Sequence, residues 1–194
     1  ISTSIQTTFL MARLLDQMPS TNVANSVSKT EGRLGSKMFV FTDDLDTINR
    51  LYDDLRDAEG TGYQWNGDGA KQPLAALRAD SEPDAEQRGR SGQNWRSLER
   101  FGRTLSVPLR VSRTSSQDTG VDGGADVIVA TASLEVGFDD PTVGAVLQHK
   151  APYGLAAFAQ RKGRAGRPLT MRPWMITVLS DYGRDRLAFQ SYDK

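Results

Sequence analysis

The chain has 194 residues, enough for one domain with a real core, and 38% hydrophobic with 25% charged content describes a rather polar globular protein. It has no cysteine and a single histidine, His149, which excludes disulfides, cysteine-held zinc and histidine-rich metal sites, so no metal site is expected in it. The formal net charge is zero, so no global field draws in nucleic acid, and no run reaches the apolar length of a membrane span. The chain starts at Ile1 with no basic region ahead of an apolar stretch, so it reads as an excised or processed piece without a secretory signal. A cytoplasmic location with no membrane partner is expected.

Ile5, Phe9, Leu10, Leu14 and Met18 follow helical spacing, and Pro19 ends that helix. Residues 20–35 read as a polar surface loop. Lys37 to Thr42 is a short apolar run of β-formers, the pattern of a buried parallel strand. Asp43 or Asp44 is placed to cap the next helix, whose apolar face is Leu45, Ile48, Leu51, Tyr52 and Leu55, with Gly60 closing it.

Periodicity is then lost until about residue 105, which reads as a partly mobile insertion over about 61–105 containing Trp65 and Trp95. A helix over 94–104 fits within it. Val107 to Val111 reads as a strand, and Pro108 favours a sheet edge or a strand start. An α/β rhythm follows: strands at Asp126–Thr131, Val143–Gln148 and Trp174–Ser180, with helices at Tyr153–Lys162 and Asp181–Tyr192. This alternation predicts a mainly parallel sheet with helices on both faces.

Charge is unevenly spread. Between Pro141 and Ser180 there is no acidic residue, while Lys150, Arg161, Lys162, Arg164, Arg167 and Arg172 all fall there. The stretch from Asp43 to Glu59 is the acidic counterpart and reads as a solvated helix face. In open α/β sheets, ligands bind beyond the carboxyl ends of the strands. Thr42 and Thr131 end two strands, and Gly137 and Asp139 lie in the loop after the second, so all four are expected at that end. A hydroxyl beside exposed backbone N–H groups can hold a phosphate without reading a base sequence. Gly137 allows close backbone approach, and Asp139 suits a ribose hydroxyl or a nearby arginine. By itself Gly137-Phe138-Asp139-Asp140-Pro141 is an ordinary turn.

The run Gln160-Arg161-Lys162-Gly163-Arg164-Ala165-Gly166-Arg167 is more pointed. Arg164 and Arg167, three apart, share a side on a helical turn. Gly163 and Gly166 are poor helix residues, so something other than helix stability favours them. Guanidinium forks match phosphate oxygens, and Gln160 is placed to orient a water or touch the same phosphate. On these residues alone a solvated basic turn and a phosphate site are equally open. No G-x-x-x-x-G-K-[ST] loop occurs in the 194 residues, and no Asp-Glu pair sits at the end of an apolar strand to hold Mg²⁺.

Met38–Thr42, Ala130–Pro141 and Gln160–Arg167, in this order, resemble motifs IV, V and VI of the second RecA-like lobe of superfamily 2 helicases. The resemblance covers about residues 36–180, interrupted by the insertion. It implies a three-layer RecA-like α/β fold for 36–194, with 1–35 as the helix and loop that join two lobes. It also implies roles. Arg164, Arg167 and Gln160 would be the catalytic set facing the γ-phosphate of ATP, with the arginines as fingers. Gly137 and Asp139 would bind the nucleotide, and Thr131 and Thr42 the nucleic-acid backbone. The implied cofactor is ATP with Mg²⁺, whose ligands and phosphate loop would lie on an amino-terminal RecA-like lobe of the same protein. The Ser133-Leu134-Glu135 run looks more like large bacterial DNA repair and phage-defence helicases than the DEAD-box RNA group, which makes DNA the expected partner.

The expected function is therefore the carboxy-terminal motor lobe of an ATP-dependent helicase or translocase, inactive without its partner lobe. Two alternatives remain at this level. One is an inert binding or scaffold module with a helicase-like fold. The other is an unrelated α/β phosphate-binding enzyme with its own active site.

Overall fold

A computed structural model describes residues 2–15, 30–59, 61, 108–115, 120–131 and 138–191. The expected insertion with Trp65, Trp95 and the 94–104 helix, as well as Met18, Gly60, Gly137 and Ser133 to Glu135, lies outside the described residues.

The apolar runs form strands because their side chains are covered on both sides. β1 (Lys37–Phe41), β3 (Val127–Ala130) and β4 (Val143–His149) are buried along their whole length. That two-sided burial is what removes polar alternation from a parallel strand's sequence. With β2 (Val111–Thr114) and β5 (Trp174–Val178) they make a sheet in the order β2-β3-β1-β4-β5 among the described residues. Every pairing in it is parallel. The protein is thus α/β, with an entirely parallel five-stranded sheet where a mainly parallel one was expected.

The expected strand at 107–111 instead starts at Val111, which pairs with Val127. Val-Ser-Arg-Thr is polar and only partly covered, so cross-strand register rather than apolar content sets its limits. Its place at the sheet edge agrees with the reading of Pro108.

Helices α1 (Ser2–Leu14) and α2 (Leu45–Ala58) pack on one face of the sheet. Their buried residues are Ile5, Phe9, Ala12, Ile48, Leu51, Leu55 and Ala58, joined by Leu15 and set against Met38, Val40, Val127, Val129, Ala145 and Leu147. The expected faces shift slightly. Leu10 and Leu14 are half-buried, and Leu45 at the first turn of α2 is 44% exposed. Of the two candidate caps, Asp44 is used: its carboxylate accepts from the Asp46 N–H at 3.2 Å and the Thr47 hydroxyl at 2.7 Å. Asp43 turns elsewhere.

A buried ion pair joins the two helices. Both terminal nitrogens of the Arg13 guanidinium donate to Glu59, at 3.0 and 2.9 Å, and neither side chain is exposed. Glu59 also accepts from the Leu109 N–H at 2.9 Å, tying the end of α2 to the entry of β2. A buried pair held this way typically costs about 3–5 kcal/mol to break, because one charge is left without a partner.

The opposite face carries Phe39, Phe41, Ile128, Ala130 and Val146, with Phe138, Ala165 and Met175 against them. Helix α3 (Leu155–Lys162) lies on this side, since the Arg161 guanidinium sits 5.5 Å from the centre of the Phe41 ring. A last helix, α4 (Gly183–Gln190), follows β5. Asp185 near its start accepts from the backbone of Ala151 and Ser180, each at 2.9 Å, closing the carboxyl ends of β4 and β5.

At that end Ser4 of α1 meets His149, with Oγ 2.8 Å from Nδ1. Burial, reinforced by the positive charge of nearby Lys150, lowers the His149 pKa from 6.5 to about 4. As pH falls, the unfolded chain therefore takes up a proton before the folded one. The stability from a neutral His149 is complete above about pH 6.5 and is lost as pH drops toward 4. One pKa unit is worth about 1.4 kcal/mol; discounted for partial solvation, the expected loss is roughly 2 kcal/mol. Thermal melts of wild type and His149→Gln across pH 4–7 check this. The variant should lose part of the acid sensitivity, and identical profiles would refute the assignment.

Candidate functional site

Two loops meet at the amino end of β4. The first runs Phe138-Asp139-Asp140-Pro141-Thr142 into the strand. Asp140 anchors it, accepting from Lys37 Nζ at 2.5 Å, the Thr142 N–H at 2.8 Å and the Thr142 hydroxyl at 2.6 Å. Burial pushes the Asp140 carboxyl up, but the bonds from Lys37 and Thr142 and the lysine charge outweigh it and hold the pKa below the ordinary value. Asp140 is thereby committed to structure, while Asp139 beside it is 68% exposed at its side chain.

The second loop follows α3. Gly163 is its C-cap, with its N–H on the Ala159 carbonyl at 3.0 Å. The helix interior therefore does not bear the cost of this glycine. Gly166 has φ +75°, and a Cβ there would lie 2.4 Å from Pro173 Cγ. Glycine is required on both counts. The Gly166 N–H then bonds the Val143 carbonyl at 3.0 Å, pinning the turn to the start of β4.

This break in helical geometry separates the two candidate arginines. Arg164 is half-buried, and its guanidinium donates to the Phe138 carbonyl. Arg167 is 45% exposed, and its Nε lies 3.2 Å from Asp139 Oδ1. They do not share one side of a helical turn as the spacing suggested, yet both reach the same short segment. Gln160 is exposed one residue before the buried Arg161.

Thr42 and Thr131 come together elsewhere. Phe41 and Ala130 are register partners, so the two threonines follow side by side at the carboxyl ends of β1 and β3. The Thr42 N–H donates to the Ala130 carbonyl at 3.1 Å. Thr42 is only 3% exposed, so its hydroxyl is not presented to solvent, whereas Thr131 is half-buried.

Of the four residues expected at the carboxyl ends, Thr42 and Thr131 are there, and the expectation is corrected for Asp139. Asp139, Arg164 and Arg167 stand at the amino end, because β3 and β4 are parallel and the chain must travel back before re-entering the sheet. Beside Thr42's end of the sheet a cleft of about 630 Å³ opens between the start of α2 and the ends of β4 and β5. Thr47, Arg50, Lys150 and Ser180 line it, with Asp44 and Asp46. The sequence reading missed this cleft, since its residues are scattered over the chain.

It also missed Arg161. That side chain is 1% exposed, donating to Gln148 Oε1 at 2.7 Å and to Asp43 Oδ1 at 2.5 Å.

An exposed guanidinium on a glycine-shaped turn suits a phosphate oxygen. Among the described residues no group of three or more His, Asp or Glu side chains is drawn together as a metal cage. The donor chemistry here suits a phosphate group rather than a metal ion.

Residues 110–168, from the entry of β2 to just past the arginine turn, match the family model described as Helicase conserved C-terminal domain. The match spans under a third of the chain. A Caenorhabditis briggsae protein, provisionally named ATP-dependent DNA helicase Q1, is 39% identical over 57 residues, covering 29% of this chain and 9% of the relative. The chain therefore spans only a small part of the relatives it matches. Among solved structures, the Pyrococcus furiosus Hef helicase domain is similar at TM-score 0.42 and 17% identity, over 81% of this chain and 24% of that one. The C-terminal domain of the DEAD-box protein Dbp5 is similar at TM-score 0.39 and 20% identity, over 82% and 68%. At such scores the fold rests on the strand order above, not on these likenesses.

Proposed function

We propose that this chain is the second RecA-like motor lobe of an ATP-dependent helicase or translocase acting on DNA. The observation that carries the reading is the exposed Arg167–Asp139 pair, held on a glycine-shaped turn inside the segment that matches the helicase family model. The name of the Caenorhabditis relative favours DNA over RNA.

In this reading Arg167, with Arg164 and Gln160, faces the γ-phosphate of ATP bound mainly by a preceding lobe. Asp139 and Gly137 contact the nucleotide. Asp139 also keeps the Arg167 guanidinium oriented when no nucleotide is bound. ATP with Mg²⁺ supplies the phosphoryl chemistry, and this chain contributes charge stabilisation and orientation. Thr131 and the cleft at the other end of the sheet supply hydroxyls and cations of the kind that hold a phosphate backbone, and the buried Thr42 holds Thr131's neighbouring strand end in place beside them.

The test is steady-state ATP hydrolysis by the full-length protein, with and without single-stranded DNA. Turnover that rises with DNA is expected, and residues 1–194 alone should hydrolyse nothing. A full-length protein without ATPase activity would overturn the reading, and turnover by the isolated chain would point to a self-contained enzyme.

A further inference from the structure

Arg161 lies between the two ends of the sheet. Helix α3 starts at the carboxyl end of β4 and runs back, so its side chains lean toward its own amino terminus and the carboxyl ends of the strands. Arg161 uses that lean. Its guanidinium reaches Asp43 at 2.5 Å, directly after Thr42, and Gln148 at 2.7 Å, and it covers the Phe41 ring. The Gln148 amide is itself oriented, since its Nε2 donates to the His149 carbonyl at 3.1 Å and so leaves the oxygen for Arg161. On the main-chain side the Arg161 carbonyl accepts the Arg164 N–H at 3.0 Å, which begins the turn leading to Arg167. A single residue thus separates the carboxyl end of β1 from the arginine turn at the amino end of β4.

We infer that Arg161 is a positioning residue that couples the β1 end to the arginine turn. A nucleic-acid backbone engaging the Thr42 end of the sheet is read at Arg164 and Arg167 through the Asp43–Arg161 pair. The inference rests on the motor-lobe reading above. Burying a charged pair is a poor way to gain stability alone, because apolar residues of similar volume usually serve as well or better. What the pair supplies is a mechanical link. A buried guanidinium does not part from its carboxylate cheaply, so when Asp43 moves, Arg161 and the turn hung from it move too. The link needs arginine. Its fork satisfies two acceptors, one in β4 and one just after β1, while its guanidinium lies over Phe41, and a lysine ammonium has neither geometry.

The experiment uses the full-length protein and a single-stranded oligo(dT) probe, with a matched RNA oligonucleotide in a parallel arm. ATP turnover is measured without and with saturating probe for wild type, Asp43→Asn and Arg161→Lys, alongside probe affinity and a melting curve. Coupling between sites is typically about 5- to 150-fold, so we expect stimulation by the probe to fall about tenfold in both variants. Basal turnover and probe affinity should stay within about threefold of wild type, well inside that range. If Arg161→Lys does not fold, Asp43→Asn, which keeps the side-chain shape, carries the test. Wild-type stimulation in a folded Asp43→Asn overturns the coupling and leaves the motor-lobe reading standing. Equal loss of basal and stimulated turnover also overturns it, since that is the mark of a purely structural role. A wild type that hydrolyses no ATP removes the reading itself.

Discussion

Arg167→Ala in the full-length protein is expected to lower the kcat for ATP hydrolysis by about 10³-fold or more, the range for an arginine that stabilises a transferring phosphoryl group. Folding should survive. The side chain is 45% exposed and its partner Asp139 is 68% exposed, and a pair this solvated contributes about 1 kcal/mol at most. Binding of single-stranded DNA should remain near wild type, because the proposed backbone contacts lie at the opposite end of the sheet. Steady-state kinetics, a melting curve and a DNA titration on one preparation separate these effects. A kcat within a few-fold of wild type would remove Arg167 from the phosphate site. Arg161 provides the contrast within the same eight residues: buried and paired with Asp43, its truncation to alanine should damage the fold first.

Gly144→Ala is expected to be the most damaging small substitution in the described residues. A Cβ at Gly144 would lie 1.7 Å from the Leu34 carbonyl oxygen and 2.9 Å from Gly35 Cα. Both obstacles are backbone, so no rotamer change relieves the clash. The register explains the contact. Lys37 pairs with Val143 but Met38 with Ala145, so Gly144 is an extra residue in β4, and the chain entering β1 crosses over it. Gly35, with φ +68°, makes that crossing, and a Cβ on it would lie 2.5 Å from Gly144 Cα. Overpacking of this kind costs about 3 kcal/mol or more, since a central strand must shift. Gly123→Ala is the control, because nothing lies within 4 Å of its Cβ position and its effect should stay within about 0.5 kcal/mol. Denaturant melts compare the two, and similar midpoints would contradict the bulge geometry.

Much of the sheet was legible because Lys37–Phe41, Val127–Ala130 and Val143–His149 are covered on both faces, and such strands read as unbroken apolar runs. Val111–Thr114 was displaced in the reading for the opposite reason. An edge strand with Ser112 and Arg113 carries little apolar signal, and its partner β3 sets its start. Within the candidate site, the arginine cluster and Asp139 were visible as residue types, but their location at the amino end of β4 was not. Location follows from strand order, and strand order is a long-range property. Arg161 was hidden by its own chemistry. Within a basic, acid-free window it reads as solvated, yet its carboxylate partner lies 118 positions earlier in the chain. The split between Asp139 and Asp140 was equally invisible, because it depends on Lys37, 103 positions away from Asp140.

Strand β1 is fastened by charge at both ends, through Lys37 to Asp140 at one and through Asp43 to Arg161 at the other. Adding or deleting one residue between Phe39 and Phe41 would move one fastening by about 3.3 Å, beyond the reach of a short ion pair. It would also send the aromatic rings to the face now occupied by Met38 and Val40. The length of this strand is therefore a fixed measure in the molecule. Its side chains can be exchanged for others of like volume, but insertions and deletions are confined to chain outside the interval from Lys37 to Asp43.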